Sequence, residues 1–344
     1  MEEVTDVAFR EMFARYSGGK GKNILRPSGE DIFSDRKNIR FSTGSNIKIF
    51  NSFVMFTEFV NVDGLLHPEG YEKLKIDLEF TEIQRPIVAQ LWGTSPEKFY
   101  LAAQLVAKKG FDGIDINMGC PQDKEIGIGA CAALIRNPSL AKEIIAATRR
   151  GASGLPVSVK TRLGYSKVEE MEEWIGFLLE CNLSAITIHA RTKQEKSKAP
   201  AHWEKIKEAV EIRDKTQGTR HKSTRTLIIG NGDIKSYQEG LNRIAQTGCD
   251  GVMVGRGAFG HPWFFRADNY QPTVKERLAV MLKHAELFNQ LLGEQKSFVL
   301  MRKHFKAYAS GFDGAHELRH QLLQTKSLAE ARQITEEFMS KVAF

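Results

Sequence analysis

The chain has little of several things, and each shortage removes a class of protein. Its 344 residues hold four cysteines, Cys120, Cys131, Cys181 and Cys249. None forms a CxxC pair, so neither a structural zinc site nor a disulfide framework is expected. Four scattered thiols suit a reducing cytoplasm. There is no run of about 18 apolar residues, so no membrane span is expected. The opening Met1–Asp6 is acidic and polar, unlike a secretion signal. Internal repeats and low-complexity tracts are also missing. With 42% hydrophobic and 26% charged residues, the composition is that of an ordinary globular protein. The length allows one barrel-sized domain plus a smaller one.

The formal charge is +7, and where it sits matters more than its size. Residues 17–52 carry seven Lys/Arg against three Asp/Glu, residues 213–226 five against one, and residues 271–344 eleven against eight. The remainder is mildly acidic. Positive charge gathered on two loop-like insertions and a C-terminal segment points to a polyanionic partner that touches appendages. Solvated Lys-rich loops account for the charge alone equally well.

From 53 to 257 short apolar runs alternate with amphipathic stretches. The runs are Phe53–Thr57, Ile87–Leu91, Gly113–Asn117, Val157–Thr161, Ala185–His189, Leu227–Gly230 and Gly251–Gly255. The helix-like stretches between them include Glu97–Lys109, Ser139–Arg150, Val168–Cys181, Trp203–Arg213 and Ser236–Thr247. Ser95-Pro96 and Asn137-Pro138 read as an N-cap followed by proline at the first helical position. Gly110 and Gly248 read as C-caps. Apolar strands alternating with helices imply a parallel sheet covered on both faces. The predicted fold is α/β, a (β/α)8 TIM barrel, with an eighth strand expected ahead of the helix Thr5–Tyr16 and the chain beginning too late to supply it in full. Residues 17–52 read as an irregular insertion with a short hairpin around 39–50, and 214–226 as a polar, mobile loop. After about 270 apolar residues recur at helical spacing: Leu278, Met281, Leu282 and Ala285, then Val299, Phe305 and Tyr308, then Leu318, Leu322 and Leu323. This predicts a catalytic domain over 1–268 and an all-helical domain over 269–344.

Three constellations carry chemistry. Gly113-Ile114-Asp115-Ile116-Asn117 runs into Met118-Gly119-Cys120-Pro121, which places a carboxamide and a thiol on the turn ending a buried strand. A free cysteine is more often apolar filler. Ile229-Gly230-Asn231-Gly232-Asp233 and Val254-Gly255-Arg256-Gly257 end the last two runs, where barrels often bind a phosphate through backbone amides and a charged fork. Gln90, Asn117, Lys160, Arg162 and His189 stand at strand ends. A lysine ending an apolar strand cannot enter a core unpaired, so Lys160 faces the mouth. Five polar ends converging there favour a bound cofactor.

Taken in order, Asn117-Met118-Gly119-Cys120-Pro121 with Lys124, Val159-Lys160-Thr161-Arg162-Leu163-Gly164, His189-Ala190-Arg191-Thr192, Gly230-Asn231-Gly232-Asp233 and Gly255-Arg256-Gly257 resemble the flavin-dependent tRNA-dihydrouridine synthases. The resemblance extends to Thr5-Asp6, Phe9-Arg10 and Met301-Arg302-Lys303-His304. It implies a tightly bound FMN, NADPH as reductant, tRNA as partner, a C-terminal helical tRNA-binding domain and a monomer. It further implies FMN contacts from Met1, Gln90, Lys160 and His189, phosphate contacts from Asn231, Gly232, Asp233, Gly255 and Arg256, and substrate contacts from Asn117, Lys124, Arg162, Arg302 and Lys303. Cys120 would protonate the uracil ring, since a neutral thiol with a reference pKa of about 8.5 keeps its proton near neutrality yet can release it. No metal is implied.

The chain departs from the family in four places. Its first strand, ending Ala-Pro-Met, is absent, with Met1 where that methionine falls, and weaker FMN binding is expected. The loop after His189 reads Lys196-Ser197-Lys198-Ala199 in place of an aromatic segment, so phosphate contact is expected there. The two insertions are longer than usual. Cys131 stands where a small residue is common and reads as packing. Two other functions fit the residues: an FMN barrel acting on a free dihydropyrimidine or dihydroorotate, and a non-catalytic RNA-binding protein.

Overall fold

Seven parallel strands in strict chain order form the centre of the molecule. They are β1 (Met55–Asn61), β2 (Ile87–Trp92), β3 (Gly113–Asn117), β4 (Val157–Arg162), β5 (Ala185–His189), β6 (Leu227–Asn231) and β7 (Gly251–Met253). The computed structural model describes residues 4–17, 53–218, 225–268 and 270–341. Met1, nearly all of the insertion 17–52 with its expected hairpin, and residues 219–224 lie outside the described residues. Among those described, no ladder joins β7 back to β1.

The helices are α1 (Val7–Tyr16), α2 (Val62–Leu65), α3 (Pro68–Leu74), α4 (Pro96–Lys108), α5 (Asp123–Gly127), α6 (Pro138–Gly151) and α7 (Met171–Glu180). They continue with α8 (Trp203–Gln217), α9 (Tyr237–Thr247), α10 (Val274–Leu292), α11 (Arg302–Tyr308), α12 (Ala315–Leu322) and α13 (Leu328–Lys341). Local chemistry sets their ends. Ser95 and Asn137 accept from Lys98 N and Leu140 N ahead of Pro96 and Pro138, satisfying amides that the first turn leaves free. Gly110 and Gly248 follow α4 and α9 at φ +82° and +72°, the left-handed conformation that ends many helices. The first strand begins at Met55, later than the apolar run Phe53–Thr57, and extends to Asn61. Helix α8 runs into the expected polar insertion: Arg213 Nη1 bonds Asp250, and Gln217 Nε2 donates to Leu179 O at 2.9 Å.

One face of the sheet is apolar. Ile114, Ile116, Val159, Ile186, Ile188 and Ile228 are fully buried within the main core. The alternate positions carry Asp115, Asn117, Lys160, Arg162 and His189, because successive strand residues point to opposite faces. Parallel pairing aligns them: Gln90 opposes Asp115, Asn117 opposes Lys160, Arg162 opposes His189, and His189 opposes Asn231.

A second core, built from Leu278, Met281, Phe288, Met301, Phe305 and Leu318, joins the C-terminal helices. Val299, expected inside, is 41% exposed, while Met301 is buried, because the segment before α11 is a short 3-10 turn that shifts which residues face inward. Helix α1 belongs to both cores: Phe9 and Phe13 enter the first, Val7, Ala8 and Met12 the second. Its buried charges are held: Asp6 accepts from Phe9 N at 2.8 Å, and Arg10 donates to Gln84 Oε1 at 3.0 Å and to Glu79 O. Lys296 adds ion pairs to Glu58 and Asp77 at 3.0 and 2.6 Å.

The His284 and His304 rings lie tilted at 59° with centroids 4.6 Å apart where these parts meet, each about 1% exposed. Burial drives the His284 imidazole down to about 3, and burial with His284 and Lys303 nearby drives His304 well below its ordinary range. A base with a depressed folded pKa gives full stability above its unfolded value near 6.5 and loses it as pH falls towards the folded value. Replacing either imidazole by leucine should therefore shrink the loss of unfolding free energy between pH 7 and 5 by about 2 kcal/mol. Urea unfolding at both pH values checks this, and an unchanged loss would contradict it.

Candidate active site

The turn after β3 is tied to its strand by a single carboxamide. Asn117 Oδ1 accepts from Gly119 N at 3.0 Å and Cys120 N at 2.9 Å, while its Nδ2 donates to Gln90 Oε1 at 3.1 Å. A Cβ at Gly119 would lie 3.2 Å from Lys160 O, so a side chain there would push this turn off β4 by a few tenths of an ångström. Arg162 closes the other side, donating from Nε to Gly119 O at 2.7 Å and from Nη1 to Thr192 O and Lys196 O at 2.9 and 3.0 Å. Cys120 is thereby presented half-buried at the carboxyl end of the sheet.

Beneath it lies a carboxylate that strand-end reasoning passed over. Asp115 is fully buried, accepting from Gln90 Nε2 at 2.7 Å and Ser158 Oγ at 2.6 Å. Burial raises its carboxyl to about 6 against those hydrogen bonds and Lys160. Asp115 shares one face of β3 with Asn117, though in the sequence it stands between two isoleucines. Lys160 makes no hydrogen bond or salt bridge among the described residues. Burial, followed by Arg162, lowers its ammonium to about 8, with Asp115 and Cys120 opposing. A partly enclosed cation without a direct partner favours an anionic or strongly accepting ligand.

Arg191 was also missed as a site residue, although it stands two positions after His189. Its side chain is 3% exposed. Nε donates to Ala199 O at 2.6 Å, Nη1 reaches His189 Nε2 at 3.2 Å, and Nη2 bonds Asp233. Guanidinium only donates, so His189 accepts at Nε2 and carries its proton on Nδ1. Burial, then the cations Lys160, Arg162, Arg191 and Arg256, holds that imidazole far below its ordinary pKa, hence neutral.

The loops after β6 and β7 meet through Asp233, which pairs with Arg191 and with Arg256 Nη2 at 2.7 Å. Gly232 sits at φ +145° and Asp233 at +52°, consecutive conformations that L side chains avoid and that persist where surrounding structure demands them. Asn231 Nδ2 donates to Met253 O at 2.8 Å, and Trp203 Nε1 to Gly232 O at 3.2 Å. Arg256 remains 64% exposed by side chain.

Thus Gln90, Asn117, Cys120, Lys160, Arg162, His189, Asn231, Gly232, Asp233 and Arg256 share one end of the sheet, with Gly255 at the end of the β7 loop. Lys124 lies exposed on α5, close in sequence to the Cys120 turn. Arg302 and Lys303 lie on α11, away from the sheet. Arg302 Nε and Nη2 donate to Thr325 O and Gln324 O, both at 3.0 Å.

Fold and site together define an α/β enzyme with its polar groups gathered at the carboxyl ends of parallel strands. The family model for dihydrouridine synthases matches residues 1–343. The chain is 42% identical over 343 residues to a "Probable tRNA-dihydrouridine synthase" of Staphylococcus aureus (strain MRSA252), covering 99% of this chain and 92% of that protein. It is 41% identical over 289 residues to "Probable tRNA-dihydrouridine synthase 2" of Bacillus subtilis (strain 168), covering 84% and 86%. The chain belongs to the dihydrouridine synthase family, a family of oxidoreductases.

Asn117→Ala removes both turn hydrogen bonds and the Gln90 contact, and should lower unfolding free energy by about 2 kcal/mol. Urea titration checks it, and a change below about 0.5 kcal/mol would mean that the turn holds itself.

Proposed function

We propose that the chain reduces the C5=C6 bond of a uridine in tRNA to 5,6-dihydrouridine, working in the cytoplasm on a (β/α)8 barrel. The observation that carries this reading is the Asn117-pinned turn that puts the Cys120 thiol beside the cations Lys160 and Arg162, close enough that a charge on its sulfur would act on both.

FMN fits the donors present. Lys160 offers an ammonium without a direct partner, His189 an Nδ1–H and Gln90 a carboxamide, suited to the acceptor edge of a flavin ring and its ribityl chain. Gly232, Gly255, Asn231 and the exposed fork of Arg256 suit a phosphate. Asp233, a carboxylate, serves there by aiming Arg191 and Arg256. Reduced by NADPH, FMN would supply the hydride for C6 of the uracil. The protein does the rest. Lys160 neutralises negative charge at the sheet end. Cys120 holds the proton needed at C5 and gives it up as charge develops there. Arg162 locks the backbone around the thiol, so the proton is delivered from a fixed direction.

A base reaches a sheet-end site only by leaving the RNA stack, which costs a few kcal/mol. Phosphate contacts from cationic side chains would offset that cost. We assign such contacts to Lys124 and the Lys196–Lys198 loop beside the mouth, and to a helical unit over 269–344 that includes Lys303 and Arg302. A free pyrimidine would need none of these. The protein is taken to act as a monomer.

Cys120→Ala should keep bound flavin while lowering dihydrouridine formation about 10²-fold or more. The check is nucleoside analysis of tRNA incubated with NADPH and each purified protein. Turnover equal to the unaltered enzyme would remove Cys120 from the reaction.

A further inference from the structure

The reaction proposed above uses Cys120 and leaves Cys131 without a task. Cys131 heads the 3-10 turn Cys131–Arg136, is fully buried, and sits at φ +55°, a conformation uncommon for a residue with a side chain. The amide that follows it, Ala132 N, donates to Cys120 O at 3.2 Å. That contact lays the start of the turn carrying Cys131 against the turn that carries Cys120. The side chains meet as well. A hydrogen bond with the Cys120 side chain is the largest influence holding the Cys131 thiol above its ordinary range, ahead of burial. Around the pair stand Lys160 and Arg162, which feel Cys120. Glu125 is buried, its Oε2 is without a hydrogen-bond partner among the described residues, and it acts electrostatically on Cys131. The other cysteines are engaged elsewhere, Cys181 Sγ with Phe177 O and Cys249 Sγ with Gly251 O.

We propose that Cys120 and Cys131 form an oxidation site, in which hydrogen peroxide converts the half-exposed thiol into a disulfide with its buried neighbour and so reversibly withdraws the proton donor. The effect on turnover rests on the function proposed above, whereas the bond itself does not.

The chemistry balances. Cys120 sulfur, as thiolate beside two cations, attacks one peroxide oxygen; the O–O bond breaks, hydroxide leaves and becomes water on taking a proton, and a sulfenic acid remains. Cys131 sulfur then attacks the Cys120 sulfur. The S–O bond breaks, and its hydroxyl departs as water with the proton that Cys131 releases, which Glu125 is placed to carry. Both sulfurs are oxidised and the peroxide oxygens are reduced. A dithiol such as dithiothreitol reverses the bond by exchange. Because Cys131 is held protonated, the pair stays reduced until the accessible partner has been oxidised.

The test uses the full chain with its cofactor, treated with hydrogen peroxide, blocked with iodoacetamide and digested with trypsin. Residues 110–124 and 125–136 then form separate peptides with one of the two cysteines each. We expect them joined, lighter than their sum by two hydrogens and separated by dithiothreitol, with dihydrouridine formation lost and recovered in step. In Cys131→Ala, Cys120 lacks its partner and should pass beyond the sulfenic acid to the sulfinic and sulfonic acids, adding two or three oxygens that dithiothreitol does not remove, so turnover should not return. The site is overturned if, in the unaltered protein, Cys120 oxidises without the link, or links to Cys181 or Cys249. Joined peptides from a protein that never reduced tRNA would uphold the site and overturn the reaction.

Discussion

Everything at the carboxyl end of the strands depends on satisfying polar groups on the inner face of a parallel sheet. A carboxylate, a lysine, an arginine and two carboxamides would be intolerable there singly, because each leaves water without compensation. Set side by side by strand register, the carboxylate and the two carboxamides satisfy one another, while the arginine is met by loop carbonyls. Asp115 accepts hydrogen bonds from Gln90 and Ser158, Gln90 accepts one from Asn117, and Asn117 holds the amides of the turn that carries Cys120. The chain of contacts spans β2, β3 and β4, and loosening any member moves the thiol.

The same economy of partners explains what is left open. Arg162 spends its donors on Gly119, Thr192 and Lys196 carbonyls, and Arg191 spends its own on Ala199, His189 and Asp233. Both work as structural ties between loops. Lys160, in the middle of that cationic group, has no such tie among the described residues, and burial together with repulsion from Arg162 lowers its proton affinity. A site that assembles positive charge around an ammonium with no direct partner among the described residues is prepared for an electron-rich ligand.

Helix α1 and Lys296 make the second joint of the molecule. Eight of the ten residues of α1 are buried, split between the core under the sheet and the core of the C-terminal helices. The ion pairs of Lys296 with Glu58 and Asp77 bridge the start of the sheet to the segment before α11. Packing of this kind sets where the C-terminal helices lie relative to the strand ends.

Much of the fold was legible in the residues alone. The alternation of apolar runs with capped amphipathic stretches placed every described strand within a few residues, and strands β3 and β5 matched their runs residue for residue. Period and capping are local properties, so they survive in a linear reading. The polar strand ends were legible for the same reason. Three features were not. The charge of Asp115 was masked inside an apolar run, Arg191 became a tie only through a loop that folds back at Ala199, and Cys131 looked like filler until the turn at Ala132 laid it against Cys120. Each depends on contacts between segments that the chain order does not bring together. The sequence by itself determined which groups stand at the mouth, while the tertiary packing alone decided which of them face one another.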